Sequence, residues 1–296
     1  MAIHSPLSME IPLREMVLAP ILPSQGLAML YSERGVGKTH VALGIACAVY
    51  TGGQFLRWSA PKPRGVLYVD GELPIRTMRD WVSATIASVG RDAIEEPAPL
   101  HFLTPDLQDA PMPDLATATG QAALEPYLDG VELLILDNLS ALCRVSEENE
   151  AGDWVPIQSW ILSLRRRGIT VLLLHHAGKS GAQRGTSRRE DLLDVVIKLK
   201  HPADYSPEEG LRAEIHFDKG RGLYGDDAKP FEVRLQSNTE GAADWTMRSV
   251  EDVTFNRASE LYNEGQSVRD VAEALSISKS KAGRLRARWK ANELPA

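Results

Sequence analysis

The chain has 296 residues, 43% of them hydrophobic, which leaves room for one large domain and a small appendage. No apolar run reaches the roughly 18–20 residues of a membrane span, and the opening "MAIHSPLSMEIPLREM" lacks the basic-then-apolar order of a secretion signal, so the expected location is the cytosol. A net charge of −7 argues against a protein that coats nucleic acid with its whole surface, and two distant cysteines, Cys47 and Cys143, argue against a disulfide framework or a zinc site.

Short apolar runs alternate with longer segments of helical period, the pattern of a mostly parallel sheet flanked by helices. The predicted strands are "GLAMLYS" (26–32), "GVLYVDG" (65–71), "HFLT" (101–104), "VELLILDN" (131–138) and "ITVLLLHH" (169–176). Several run apolar without polar alternates, as strands buried on both faces do. Helices are expected after Lys38, after Pro74 and over 153–167, stopping at Gly168. Beyond His176 a polar loop leads to "DVVIKLKH" (194–201), "RAEIHFDKG" (212–220) and "FEVRLQ" (231–236), which alternate more and are expected to extend the sheet as antiparallel strands. The stretch 237–252 has loop composition, so a domain boundary is expected there: a first domain over 1–245 and a second over 252–296.

"YSERGVGKTH" (31–40) carries the chemistry. Its Gly35, Val36, Gly37, Lys38, Thr39 and His40 lie between a predicted strand and a predicted helix, the setting in which backbone N–H groups and a helix N-terminus cradle phosphates. Lys38 would reach the outer phosphates and the Thr39 hydroxyl would hold Mg²⁺. Ser32 stands where such loops begin with glycine, a substitution that fits if the backbone there avoids positive φ. Asp137 ends the apolar run "LLILD", the position from which a carboxylate orients magnesium and its water. Glu72 follows "VLYVDG" and could polarise the attacking water as a general base. Either acid alone could be a solvated loop residue; with the loop at 32–39 they form a three-part constellation, and the cofactors implied are ATP and Mg²⁺.

On these residues the chain resembles the RecA-like P-loop ATPases, specifically the RepA-type replicative helicases of plasmids and integrated elements, with DnaB and KaiC as broader relatives. The resemblance spans roughly residues 17–235. RepA-type proteins also accept Ser at the first glycine position. "GELP" (71–74) resembles the Glu-x-Pro of DnaB-like proteins, which implies Glu72 as catalytic base. "LDNLSALCRVSEEN" (136–149) is similar to the segment that follows the magnesium aspartate, and "LLLHHAGK" (172–179) to a paired-histidine strand end that carries a γ-phosphate sensor. His175 and His176 alternate on a strand, so only one can face the nucleotide, and His176, nearer the end, is the expected sensor. "RGTSRREDLLDVVIKL" (184–199) resembles the Arg-Gly-Ser stretch of the family, and Lys179, Arg184, Arg188 and Arg189 would then face a central channel carrying single-stranded DNA. "DKGRG" (218–222) has the Lys-x-Arg spacing that DnaB-like rings insert into a neighbour's site, which implies Lys219 and Arg221 as a finger acting in trans.

The tail "FNRASELYNEGQSVRDVAEALSISKSKAGRLRARWKAN" (255–292) reads as three short helices. The first carries Ala258, Leu261 and Tyr262 as its apolar stripe. In the second, Ser267 and Asp270 have capping-box spacing, and the third packs through Ala282, Leu285 and Trp289. From Lys279 to Lys290 there are six Lys or Arg and no acid. The segment resembles the helix-turn-helix of resolvases and sigma-factor-type DNA readers, which implies duplex contacts from Lys279, Lys281, Arg284, Arg286 and Arg288; the alternative is a protein-interaction cap with a solvated basic face. The leading expectation is a ring-forming, hexameric DNA helicase. The alternatives are a DNA-binding regulatory ATPase that uses ATP as an assembly switch, and a regulator whose phosphate-loop domain only oligomerises.

Overall fold

The computed structural model describes residues 13–89, 96, 98–144, 154–177, 191–238 and 241–293. In chain order the elements are β1 (Met16–Leu18), β2 (Leu22–Pro23), β3 (Leu27–Ser32), α1 (Lys38–Thr51), β4 (Gln54–Phe55), β5 (Trp58–Ser59), β6 (Val66–Asp70), α2 (Ile75–Val89), β7 (Leu100–Leu103), α3 (Ala118–Leu124), β8 (Leu133–Asp137), α4 (Leu139–Leu142), α5 (Trp154–Arg166), β9 (Thr170–His176), β10 (Val195–Lys200), β11 (Leu211–Gly220), β12 (Phe231–Ser237), β13 (Ala243–Ser249), α6 (Val250–Asn263), α7 (Val268–Ala274) and α8 (Lys279–Glu293).

Nine strands form one sheet in the order β13-β12-β11-β10-β3-β9-β8-β6-β7. The six from β10 to β7 are parallel, and β11 to β13 continue as an antiparallel meander. The fold is α/β with a large, mostly parallel sheet. Period-two alternation divides its central strands between two cores. Ala28, Leu30, Ile135, Leu172 and Leu174 face α1, whereas Leu27, Met29, Leu134, Leu136, Val171 and Leu173 face α4 and α5. Helix α1 is apolar nearly all round and buried from Val41 to Tyr50, as a helix sandwiched between a sheet and further chain must be.

Two expectations are corrected. The strand at 194–201 is not antiparallel to the older sheet: β10 runs parallel to β3, with Val195 opposite Ala28 and Lys198 opposite Tyr31. Val195, Val196 and Ile197 are buried on both faces, which marks a strand inside the sheet rather than a half-exposed meander. The stretch 237–252 is not a linker. Ala243–Ser249 pairs along β12 from Ser237↔Ala243 to Phe231↔Ser249, so the sheet runs past the expected end at 245 and the helical tail begins at Val250 rather than 252. Trp245 packs edge-on to Phe55, 5.3 Å between centroids, and supplies the apolar anchor that the polar composition around it obscures.

The tail has its own small core of Phe255, Ala258, Tyr262, Val271, Ala272, Ala282 and Leu285. Ser267 and Asp270 form the predicted capping box at the start of α7, and a short turn through Ser276, at φ 51°, leads to α8. No linker separates tail from sheet. Ser249 ends β13 and its hydroxyl accepts from Glu251 N at 3.2 Å and Asp252 N at 3.4 Å, capping α6. Arg257 of α6 then pairs with Asp204 at 2.7 Å and Glu232 at 3.5 Å on the sheet side.

Candidate nucleotide site

The same alternation that builds the two cores sends one set of polar groups to one place. Ser32, Asp70, Asp137 and His176 are the last residues of β3, β6, β8 and β9, and each has the parity of the α1-facing side chains on its strand. All four are buried. Asp137 and His176 meet the turn 33–37 and the first residues of α1 at a cleft of about 480 Å³, which Gly35, Gly37, Lys38, Thr39, His40 and Glu72 also line; Ser32 and Asp70 are not among its lining residues.

The turn needs its glycines: Gly35 sits at φ 82° and Gly37 at φ 111°, and a Cβ on Gly37 would come within 2.6 Å of Leu211 Cδ1. Ser32 needs none, because it closes a β-strand and lies outside the set of positive-φ residues. Its hydroxyl donates to Glu33 O at 2.6 Å and accepts from Lys38 Nζ at 3.0 Å. Lys38 also donates to Glu33 O at 3.0 Å, so the ammonium is folded back over the turn where phosphate oxygens would compete for it. Burial pulls Lys38 down to about 8, against the upward pull of Asp137 and Glu72. Val36 packs into the α1-side core.

Thr39 Oγ1 donates to Asp137 Oδ2 at 2.7 Å, and Tyr68 OH donates to the same oxygen at 2.7 Å. Burial raises the Asp137 carboxyl above the usual range, while these two hydrogen bonds and the Lys38 cation pull it back. Burial likewise lifts Asp70, whose Oδ2 accepts from Leu73 N at 2.9 Å, up to about 7. Glu72, half-exposed, reaches to 4.0 Å from His176 Nε2. His175 has the opposite parity and does not line the cleft. The His40 ring packs against Trp81 of α2, tilted by 35° with centroids 4.0 Å apart, and burial brings it down to about 4.

Sequence reasoning missed Trp81, Asn138, Tyr205, Gly210 and Leu211, which also line the cleft, and it missed Tyr68 beneath it. Tyr205 and Leu211 come from the loop before β11 and the strand itself, and only the sheet order brings them to the phosphate turn. Conversely, Lys219 and Arg221 are not at the cleft. They lie at the other end of β11, where Gly220 pairs with Val195, roughly 30 Å along the strand from Leu211 at about 3.3 Å per residue. There both donate to Asp191 O, at 3.3 and 3.2 Å, and Arg221 lies 3.9 Å from Asp194. Lys179, Arg184, Arg188 and Arg189 lie outside the described residues.

On α8, Lys279, Arg284 and Arg286 are exposed and Lys281 half-buried. Arg284 donates to Ser280 Oγ at 3.2 Å. Arg288 differs from the expectation of a free basic face: its guanidinium lies 4.1 Å over the Phe255 ring and 3.5 Å from Asp252, tying α8 to α6. Among the described residues no helix is long and apolar enough to cross a membrane.

A sheet with this order and a phosphate turn between its central strand and a buried helix define a RecA-like P-loop ATPase. A family model described as an AAA domain matches residues 4–182, more than half of the chain, and the chain belongs to that family. Among solved structures, the flagellar accessory protein FlaH of Methanocaldococcus jannaschii is similar at a TM-score of 0.53 and 14% identity, over 75% of this chain and 91% of that one. A KaiC-like protein from the archaeon Pyrococcus horikoshii is similar at a TM-score of 0.50 and 13% identity, over 77% and 93%. No curated protein matches closely enough to count as a relative.

Proposed function

We propose that the chain is a DNA-dependent, Mg-ATP-hydrolysing motor of the RepA-type helicase group, acting in replication of a plasmid or mobile element. It works as a ring, taken as a hexamer, that passes single-stranded DNA through its channel past Lys179, Arg184, Arg188 and Arg189, while α7 and α8 read duplex DNA as a helix-turn-helix. The observation that carries the reading is the convergence of Lys38, Thr39, Glu72, Asp137 and His176 on one cleft at the strand ends. Lys38 leaves Ser32 and Glu33 to bind the outer phosphates. Glu72 takes the proton of the attacking water, and His176, within 4.0 Å of Glu72, senses the γ-phosphate. Thr39 and Asp137 are hard oxygen donors 2.7 Å apart, a pair that suits Mg²⁺; the ion, when bound, neutralises charge on the phosphates.

The position of Lys219 and Arg221, far from their own cleft, supports a finger that serves a neighbouring copy. Strand displacement on a forked substrate, driven by ATP and stimulated by single-stranded DNA, is the expected result; turnover indifferent to DNA together with an intact fork would overturn the helicase reading. A second reading, a DNA-binding ATPase that uses ATP as an assembly switch without unwinding, is favoured by one observation. Two of the similar solved structures are a flagellar accessory protein and a KaiC-like protein, neither described as a helicase.

A further inference from the structure

Tyr68 lies on β6, one strand across from Asp137, and is fully buried. Its ring stacks on Phe102 with centroids 5.5 Å apart, and its hydroxyl donates to Asp137 Oδ2 at 2.7 Å. A buried tyrosine satisfies its hydroxyl with whatever acceptor is near, so the bond could be incidental to packing. Two features argue otherwise. The acceptor is a carboxylate at the mouth of a strand rather than a backbone carbonyl, so the bond fixes a rotatable side chain. The second donor on Oδ2, Thr39 Oγ1, is the hydroxyl that a nucleotide-bound metal recruits in P-loop sites, which would leave Tyr68 holding the carboxylate.

We infer that Tyr68 is a positioning residue of the ATPase site, its hydroxyl anchoring the Asp137 carboxylate in the orientation that receives the metal–nucleotide complex. The inference rests on the proposed role of Asp137. Groups that orient a metal site from behind are commonly worth 10- to 100-fold in metal affinity, and Tyr68 stands to Asp137 in that relation.

The test measures metal binding rather than turnover. Mn²⁺ is titrated into the full chain with a non-hydrolysable ATP analogue and followed by electron paramagnetic resonance, for the parent, Tyr68→Phe, Asp137→Asn and the double variant; analogue binding in EDTA is measured in parallel. Tyr68→Phe keeps the ring and removes only the oxygen. It is expected to weaken Mn²⁺ binding by roughly tenfold, to leave binding in EDTA unchanged, and to have no further effect once Asp137→Asn is present. Parental Mn²⁺ affinity in Tyr68→Phe, with weakened affinity in Asp137→Asn, would overturn the inference and spare the role of Asp137. Unchanged affinity in Asp137→Asn would remove that role itself. An equal loss from Tyr68→Phe in both backgrounds, or loss of analogue binding in EDTA, would assign the hydroxyl to packing and the inference would fall.

Discussion

Lys38 and Glu72 line the same cleft, and in the proposed mechanism they carry different work, which substitution should separate. Lys38→Ala removes the cation for the outer phosphates, so both analogue affinity and turnover should fall. Glu72→Gln keeps shape and removes the base, so affinity should stay near the parental value while turnover is lost; a Gln variant at the parental rate would exclude Glu72 as the base. His40 gives a pH test. Its folded value, about 4, lies below the ordinary 6.5, so the unfolded chain binds the proton first. Stability is therefore unaffected above pH 6.5 and falls as pH drops from 6.5 towards 4. At about 1.4 kcal/mol per unit, the loss over the two units down to pH 4.5 is about 2.5 kcal/mol. His40→Phe, which keeps a ring against Trp81, should shrink the stability difference between pH 7 and 4.5 by about that amount in denaturant unfolding. Asp137, Glu72 and Lys38 were legible because an acid closing an apolar run, or a lysine between glycine and helix, stands out against its neighbours. Tyr68 was not: in "VLYVD" it reads as one more core residue. Its partner is 69 positions away, on a strand whose adjacency only the sheet order reveals.

The phosphate turn joins β3 to α1 through a glycine whose backbone, not its missing side chain, is the constraint. Gly37→Ala meets both a φ of 111° and Leu211 Cδ1 at 2.6 Å. The leucine tip can move, whereas the dihedral costs on the order of 1–3 kcal/mol for a residue with a Cβ. Gly37→Ala should therefore lower stability and weaken analogue binding, and Leu211→Ala added to it should not restore either; full rescue in thermal unfolding would mean the clash mattered and the dihedral did not. Strands β3 and β6 to β12 were readable because their apolar runs are continuous or alternate cleanly. The direction of β10 was not, since direction depends on the path of the chain between β9 and β10. Strand β13 was hidden because Ala243, Trp245 and Met247 alternate with Asp244, Thr246 and Arg248 in a setting otherwise rich in turn formers.

Removing residues 250–296 should leave a folded ATPase, because every residue of the cleft and all nine strands of the main sheet precede Val250. Duplex affinity should drop, and its salt dependence should become shallower as the basic residues of α8 are lost; unchanged affinity and slope in a salt titration would make the tail a protein-interaction cap. The cut also strips Arg257 from Asp204 and Glu232. Arg212 remains paired with both, at 3.2 and 3.0 Å, so the sheet keeps a cation there and its stability should change little. The three helices of the tail were legible from their apolar spacing, but the start of the first was not, since the loop-like composition of 237–252 conceals β13 and the direct passage from Ser249 into α6.

That joint has a consequence for how the two parts cooperate. A flexible tether would let the tail search a volume around the sheet edge, trading direction for reach. Ser249 gives no such tether: the residue that ends the last strand is the cap of the first tail helix, and eight residues on Arg257 is pinned again. The tail therefore has a bearing instead of a reach. In the ring proposed above, the tails would form a crown whose spacing is that of the subunits, and a duplex could engage two of them only at separations set by that spacing, however long the duplex.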